Sequence, residues 1–387
     1  MFEHINYLFE HIYNNCTLPG IVGTFVSSLL NMPEKKITIK DIAKLAQVSA
    51  GTVDRVLHNR GKVSESNRKK VEAVLKEIHY EPNLIAKTLK NNRIFRLIAI
   101  IPSSEQDEYW QKARRGLMSG LREFKSFGID IHVIEFDINH ARSFSIACGE
   151  AIDQKPDGVI AVPIFHDEAP MKFKAFDDLE IPYMTFNTHL HELNPRCYIG
   201  QHHLNSGRLA AQLTMVHQKL AGPVAMIHVN EHPDKADHAK EKEEGFRIYL
   251  QERQFDMADF HSISVNEGPL FTEALTAALE KIHGLSAVHV STSKAFLVYD
   301  LLKKAHPACT LSGYDLVSPN VALLKAHKVQ FLIDQKPIEQ AYQAVVRFTD
   351  LLIFKKSVAN EYLLPLNVAF AENIDSMLSV VSTEKNT

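Results

Sequence analysis

The sequence predicts an all-α helix-turn-helix headpiece followed by a two-lobed α/β domain with parallel sheets. Residues 36–93 hold short amphipathic segments, each opened by a capping residue, and a clear excess of positive charge. From Arg96 onward short apolar strands alternate with helical stretches, with no internal repeat or low-complexity segment. A chain of 387 residues, 45% hydrophobic and 23% charged, has material for two or three domains with sizeable cores and the charge of a soluble protein.

The first helix of the headpiece begins after Thr38, whose hydroxyl can cap it, with Asp41 as the acid of a capping box. Ile39, Ile42, Ala43, Leu45 and Ala46 make its apolar stripe. After the turn at Gln47 and Val48, Ser49 caps a second helix with Val53, Val56 and Leu57 inward. Two short helices joined by about three residues form a helix-turn-helix. Ser64 caps a third helix, whose Val71, Val74, Leu75 and Ile78 close a three-helix core, and Pro82 follows its end.

Between Lys36 and Arg93 thirteen Lys or Arg stand against six Asp or Glu, a net of +7; the whole chain carries −3, so the remainder carries −10. A basic end on an acidic body is the footprint of a head that binds phosphates. A Lys-rich helix also suits a solvated face, yet solvation alone does not call for two capped helices at this spacing.

The run Ile39-Lys40-Asp41-Ile42-Ala43-Lys44-Leu45-Ala46, then Val48-Ser49, Thr52-Val53, Arg55-Val56-Leu57 and Val63-Ser64, is followed by Tyr80-Glu81-Pro82-Asn83 and Ala86-Lys87-Thr88-Leu89. In this order the motifs resemble, position for position, the headpiece and hinge of the LacI/GalR family of bacterial transcription regulators. The resemblance implies a hinge helix over 82–90 that folds when two copies meet on the operator, with Leu89 wedged into the minor groove. An amphipathic linker packed on the body is the other reading of that segment.

Residues 1–35 do not fit the pattern. The apolar run at 21–30 is too short to span a bilayer and no cationic region precedes it, so neither an export signal nor a membrane span is expected. Translation is expected to begin at Met32. Cys16, Cys148, Cys197 and Cys309 show no paired spacing of a zinc ribbon or redox motif, which fits a reducing cytoplasm.

In the body, strands are expected at 97–101, 131–136, 158–162, 183–186, 224–229, 287–290 and 311–313, with helices such as 110–127 and 206–220 between them. This alternation implies parallel sheets with right-handed crossovers. The family resemblance implies the type I periplasmic-binding-protein-like fold, with the chain crossing between lobes near Gly200, Asp334 and Tyr362. The expected divisions are a non-family extension over 1–35, the headpiece over 36–81, and a hinge and linker over 82–93. A first lobe over 94–199 plus 335–362 and a second over 200–334 plus 363–387 complete the chain. Ligands in such sheets bind beyond the carboxyl ends of the strands, here between the lobes.

For DNA, the exposed start of the second helix offers Ala50, Gly51, Thr52, Asp54 and Arg55. Arg55 is the first choice for a base contact, because its guanidinium donates twice to guanine. Ala50 and Gly51 stand where the family sets specificity with larger side chains. Asp54 departs from the family's common Ser: it either accepts from a cytosine amino group or orients a neighbour such as Arg55 or His58. Ser49, Thr52, Asn59, Lys62, Ser64 and the backbone near Asn83 are expected on phosphate, as in relatives, and Thr38 is expected among the DNA-binding residues.

For the ligand, Asp107, Tyr109 and Trp110 follow the first strand. The sole tryptophan either stacks on a sugar ring, as aromatic residues do in sugar-binding relatives, or packs a helix into the core. Asn187 follows the strand at 183–186, where the family places an Asp or Asn on ligand hydroxyls. Lys242 stands where relatives carry an Arg, a departure that replaces a planar fork by a point charge. Thr292, Ser293, Asp315 and Gln335 complete the set; each alone is what any strand-end loop carries, and together they describe a hydroxyl-rich ligand. The twenty histidines include His189, His191, His202 and His203, which read as surface or helix-cap residues without the spacing of a metal site.

The reading is a homodimeric regulator, a repressor, binding double-stranded operator DNA under control of a sugar-like effector, with neither metal nor cofactor. A carbohydrate solute-binding protein is the alternative, opposed by the basic head and the missing export signal. An enzyme is disfavoured, because no GxGxxG, P-loop or GxSxG occurs. Residues 373–387 show no leucine heptad, against a tetramerising coiled coil.

Overall fold

The computed structural model describes residues 38–57, 61, 63–78, 93–233 and 236–383. The extension over 1–35, Met32, His58, Asn59, Lys62, Asn83 and the hinge with Leu89 lie outside the described residues. The chain forms two compact units, Met1–Asn83 and Leu84–Thr387.

In the first unit, α1 (Ile39–Leu45), α2 (Ala50–Leu57) and α3 (Glu65–Glu77) enclose Ile42, Ala43, Ala46, Val53 and Val71. A reciprocal capping box opens α1: the Thr38 hydroxyl accepts from Asp41 N, and the Asp41 carboxylate accepts from Thr38 N at 3.0 Å. Ser49 Oγ accepts from Thr52 N at 3.1 Å and Ser64 Oγ from Asn67 N at 3.4 Å. One expectation fails here: Leu45 is 57% exposed. At 100° per residue, Ile39, Ile42, Ala43 and Ala46 share an arc of about 100°, and Leu45 lies about 60° outside it.

In the second unit the first sheet comprises β1 (Phe95–Pro102), β2 (Ile129–Phe136), β3 (Gly158–Ala161), β4 (Tyr183–Phe186), β5 (Tyr198–Gly200) and β11 (Glu361–Leu363). Their order is β11-β5-β4-β3-β1-β2 and every adjacent pair is parallel. The second sheet comprises β6 (Val224–Val229), β7 (Phe260–Val265), β8 (Ala287–Val290), β9 (Thr310–Tyr314), β10 (Leu332–Asp334) and β12 (Asn367–Ala369), ordered β12-β10-β9-β8-β6-β7. Its one antiparallel pair is β10 with β12. The chain therefore passes between sheets three times, after β5, after β10 and after β11.

Helices α4 (Glu108–Phe124), α5 (Ala141–Asp153), α6 (Ala169–Asp178) and α12 (Pro337–Leu352) go with the first sheet. The second has α7 (His203–His217), α8 (Asp237–Glu252), α9 (Phe271–Glu280), α10 (Ala295–Ala305), α11 (Ser318–Lys325) and α13 (Ile374–Thr383). Both faces of each sheet are covered, which is why the central strands read as unbroken apolar runs. Along β1, Leu97, Ala99 and Ile101 enter one core while Ile98 and Ile100 enter the core on the opposite face. Each of the fully buried Leu and Ile side chains contributes about 1.5–3 kcal/mol. Helix α4 starts at Glu108, earlier than expected, because Asp107 caps it; α7 runs His203–His217, set earlier than the expected 206–220.

Candidate functional site

Three parallel strands end in the same way. Asn187 follows β4, Asn230 follows β6 and Asp315 follows β9, with φ of 67°, 61° and 65°. A left-handed residue turns the chain sharply off the strand, and Asn and Asp tolerate that conformation better than other side chains. All three line one cavity of about 450 Å³ between the two lobes. The nine positions singled out from sequence, Asp107, Tyr109, Trp110, Asn187, Lys242, Thr292, Ser293, Asp315 and Gln335, all line it as well.

On the first-lobe wall, Asp107 Oδ1 accepts from Tyr109 N at 2.8 Å, capping α4. Asn187 Nδ2 donates to the Tyr109 hydroxyl at 2.6 Å, and Trp110 meets Tyr109 edge-on at 4.9 Å. Trp110 is 5% exposed and belongs to the first-lobe core, so it packs a helix and forms cavity wall at once.

The second-lobe wall is built around Lys242 on α8. Its Nζ donates to Ser291 O at 3.3 Å and to Gln335 Oε1 at 3.2 Å, and lies 4.4 Å from the Tyr314 ring centroid. Burial pulls its pKa below the ordinary lysine range, opposed by Glu231 and Asp315. Asp315 accepts from Gln335 N at 3.0 Å and Nε2 at 2.7 Å; burial, then Asp334, push its carboxyl up to about 7. Lys242 reaches this place because α7 and α8 cross very closely. A Cβ on Gly207 would stand 1.9 Å from Lys242 O, and one on Gly245 1.9 Å from Leu204 O.

Sequence reasoning missed Glu231, His238, Glu267 and Lys294 on this wall. Glu231 was within reach of the same rule, since it stands two residues past β6. Its Oε1 bonds His238 Nε2 at 3.0 Å, while Oε2 is buried without a hydrogen-bond partner. Although burial raises its pKa, His238 and Lys242 hold it down to about 2. Lys294 bridges Asp107 at 2.8 Å and Glu267 at 3.3 Å, the first of these across the lobes.

Further contacts hold the lobes together. The Glu108 carboxylate accepts from Ser318 N at 2.7 Å, and Lys112 donates to Leu316 O. His191 meets Glu241 at 2.9 Å, and His166 Nδ1 accepts weakly from Asp237 N at 3.5 Å.

The histidine expectation needs correction. His191 and His202 are exposed and His202 caps α7, but His189 stacks on Tyr198 at 4.6 Å and His203 is 4% exposed, bonded to the Tyr198 hydroxyl at 3.0 Å. The one-residue step from a helix cap into the helix turns His203 inward. Among the described residues no group of three or more His, Cys, Asp or Glu is arranged to hold a metal.

In the headpiece Ala50, Gly51 and Arg55 are exposed on α2, while Thr52 and Asp54 are half-buried. Thr38, expected at the DNA, and Ser49 and Ser64, expected on phosphate, serve as helix caps. A cap hydroxyl at a helix start lies among free backbone N–H groups, the donors an anion meets there.

Two parallel α/β lobes with polar strand ends around one cavity define a ligand-binding body. Residues 98–356 match the periplasmic binding protein domain, and residues 38–83 match the lacI family of bacterial regulatory proteins. The chain belongs to the lacI family, with a periplasmic-binding-protein domain as its body: a DNA-binding regulator under ligand control. It is 26% identical over 255 residues to a ribose operon repressor of Halalkalibacterium halodurans, covering 65% of this chain and 71% of that one. To a sucrose operon repressor of Klebsiella pneumoniae it is 31% identical over 141 residues, 36% and 41% of the two chains. A crystal structure described as a LacI transcriptional regulator from Bacteroides fragilis superposes with TM-score 0.67 at 24% identity, covering 73% of this chain and 99% of that one.

Proposed function

We propose that this protein is a cytoplasmic, homodimeric transcriptional repressor whose hold on double-stranded operator DNA is set by a sugar or sugar derivative bound between the lobes, and that it performs no catalysis. The observation that carries the reading is the convergence of the nine positions on one cavity at strand carboxyl ends, in a chain that also has a helix-turn-helix head. Similarity to ribose and sucrose operon repressors supports the sugar. Trp110 offers a ring face or edge, Asn187, Thr292, Ser293, Asp315 and Gln335 serve hydroxyls, and Lys242 supplies a point charge. Arg55 reads a base, Ala50 makes at most a methyl contact, and Leu89 wedges the minor groove. Ser49, Thr52, Asn59, Lys62 and Ser64 hold phosphates. The effector acts through its differential affinity for the two lobe arrangements.

The test is DNA binding by the full chain against salt, with and without sugars. With roughly four to six phosphate contacts per head, log K should fall by about 0.9 per contact per decade of salt. Arg55→Ala should lower the operator-to-random affinity ratio by about 10-fold or more, one bidentate contact being worth ~1–3 kcal/mol. An unchanged ratio would remove Arg55 from base reading.

A further inference from the structure

The charges around the cavity restrict the effector more narrowly than the word sugar does. Among the described lining residues the lysines are Lys242 and Lys294 and the carboxylic acids are Asp107, Glu231, Glu267 and Asp315. Lys294 is engaged on both sides by Asp107 and Glu267. Lys242 is 2% exposed and already serves Ser291 O, Gln335 Oε1 and the Tyr314 ring. Lys294 is thus paired with carboxylates, and Lys242, whose direct partners are neutral, lies in the field of Glu231 and Asp315, so the lining carboxylic acids outnumber the ammonium groups.

Polar atoms on the same wall are buried without partners: Glu231 Oε2 is a pure acceptor, the Thr292 hydroxyl can donate or accept, and His238 Nδ1 shares that state beside Glu231. A buried carboxylate oxygen without a hydrogen bond is costly, and a ligand hydroxyl or ammonium that donates to it relieves that cost. A carboxylate group has no proton to offer there at neutral pH, and a phosphate monoester, with a second pKa of ~6, is mostly the dianion. Either anion would also meet the like charge of the lining carboxylates.

From this charge balance we infer that the effector is a non-anionic, hydroxyl-rich ring, and that Glu231, oriented by His238, is the residue that selects it by accepting a donor of the ligand. The inference rests on the cavity being the effector site. Under it, sugar phosphates and sugar acids are excluded, while neutral sugars, cyclic polyols and amino sugars are admitted.

Trp110 supplies the readout, being the only tryptophan of the chain and part of the cavity wall. The full-length protein is titrated with D-ribose, myo-inositol, D-glucosamine, D-ribose 5-phosphate and D-gluconate while Trp110 emission is followed. At least one of the first three should bind, about 10- to 100-fold more tightly than either anion, the scale of one hydrogen bond to a charged group. Glu231→Gln keeps the shape and removes the charge, so it should weaken the neutral or amino probe and narrow its advantage over the anions. His238→Gln should do the same more weakly. Circular dichroism of both variants at the titration temperature separates loss of selection from loss of fold. An anionic probe that binds as tightly as the best neutral one, or a selectivity ratio untouched by Glu231→Gln, overturns the inference and leaves the effector cavity standing. Silence of Trp110 toward all five probes up to their solubility would overturn the sugar reading and this inference together.

Discussion

Asn187, Asn230 and Asp315 each turn the chain out of a parallel strand in the left-handed region, where most residues cost about 1–2 kcal/mol and the short polar ones less. One choice of side chain thus meets two needs, the backbone turn and a polar group at the cavity. Asp315 adds a titration. Its carboxyl is pushed up to about 7 from an ordinary 3.8 by burial and by Asp334, so the folded state holds a proton that the unfolded chain releases. That contribution is complete below about pH 4 and is lost as pH rises through 7. The melting temperature of the wild type should therefore fall relative to Asp315→Asn between pH 5 and pH 8. A constant difference across that range would show that Asp315 ionises normally.

Lys242 illustrates how an element decides what a residue can do. Its side chain is buried because α8 lies against α7 at a glycine-to-backbone distance that admits no methyl group at Gly207 or Gly245. Gly207→Ala must move the backbone of α8 at Lys242 itself. It should destabilise the body by about 1–3 kcal/mol, the usual cost of overpacking, and displace the ammonium from Gln335, so ligand-induced change in Trp110 emission should weaken beyond the loss in stability. Unaltered denaturation and binding would mean that the helices separate freely. In the headpiece the caps are the corresponding feature. Ser49→Ala removes the acceptor for Thr52 N and should cost about 1 kcal/mol, seen as faster amide exchange across α2. Exchange unchanged throughout α2 would assign the cap no energetic role.

At the scale of the body, lobe closure rests on polar contacts from both rims of the cavity. Asp107 with Lys294 and Glu108 with Ser318 stand on the α4 side, and His166 and His191 reach α8. His166 is drawn down to about 4, first by burial and then by His238, and its Nδ1 accepts rather than donates. A histidine depressed in this way supports closure fully above its ordinary value of 6.5 and loses that support as pH falls toward 4. The radius of gyration measured by X-ray scattering should be larger at pH 5 than at pH 7.5 for the unliganded protein. Equal radii would show that closure does not depend on His166.

Much of this protein was legible from local order. The capping residues Thr38, Ser49 and Ser64, the continuous apolar strands and the strand-end polar residues report on contacts within a few positions of the chain. The same local rules placed Leu45 in the core and left β5, β7, β10, β11 and β12 unseen, because an alternating edge strand or a three-residue strand has too few positions to show a period. They read His203 as a surface residue, though one position separates the cap from the buried face. The sequence by itself determined the class of protein and the strand ends that meet at the cavity. Only the tertiary structure decided the charge state there: that Lys294 is engaged by Asp107 from the other lobe, that Lys242 is enclosed by a helix crossing, and that Glu231 keeps an unpartnered oxygen. The reason is that pairing and burial depend on residues far apart in the chain, and no spacing along one segment records them.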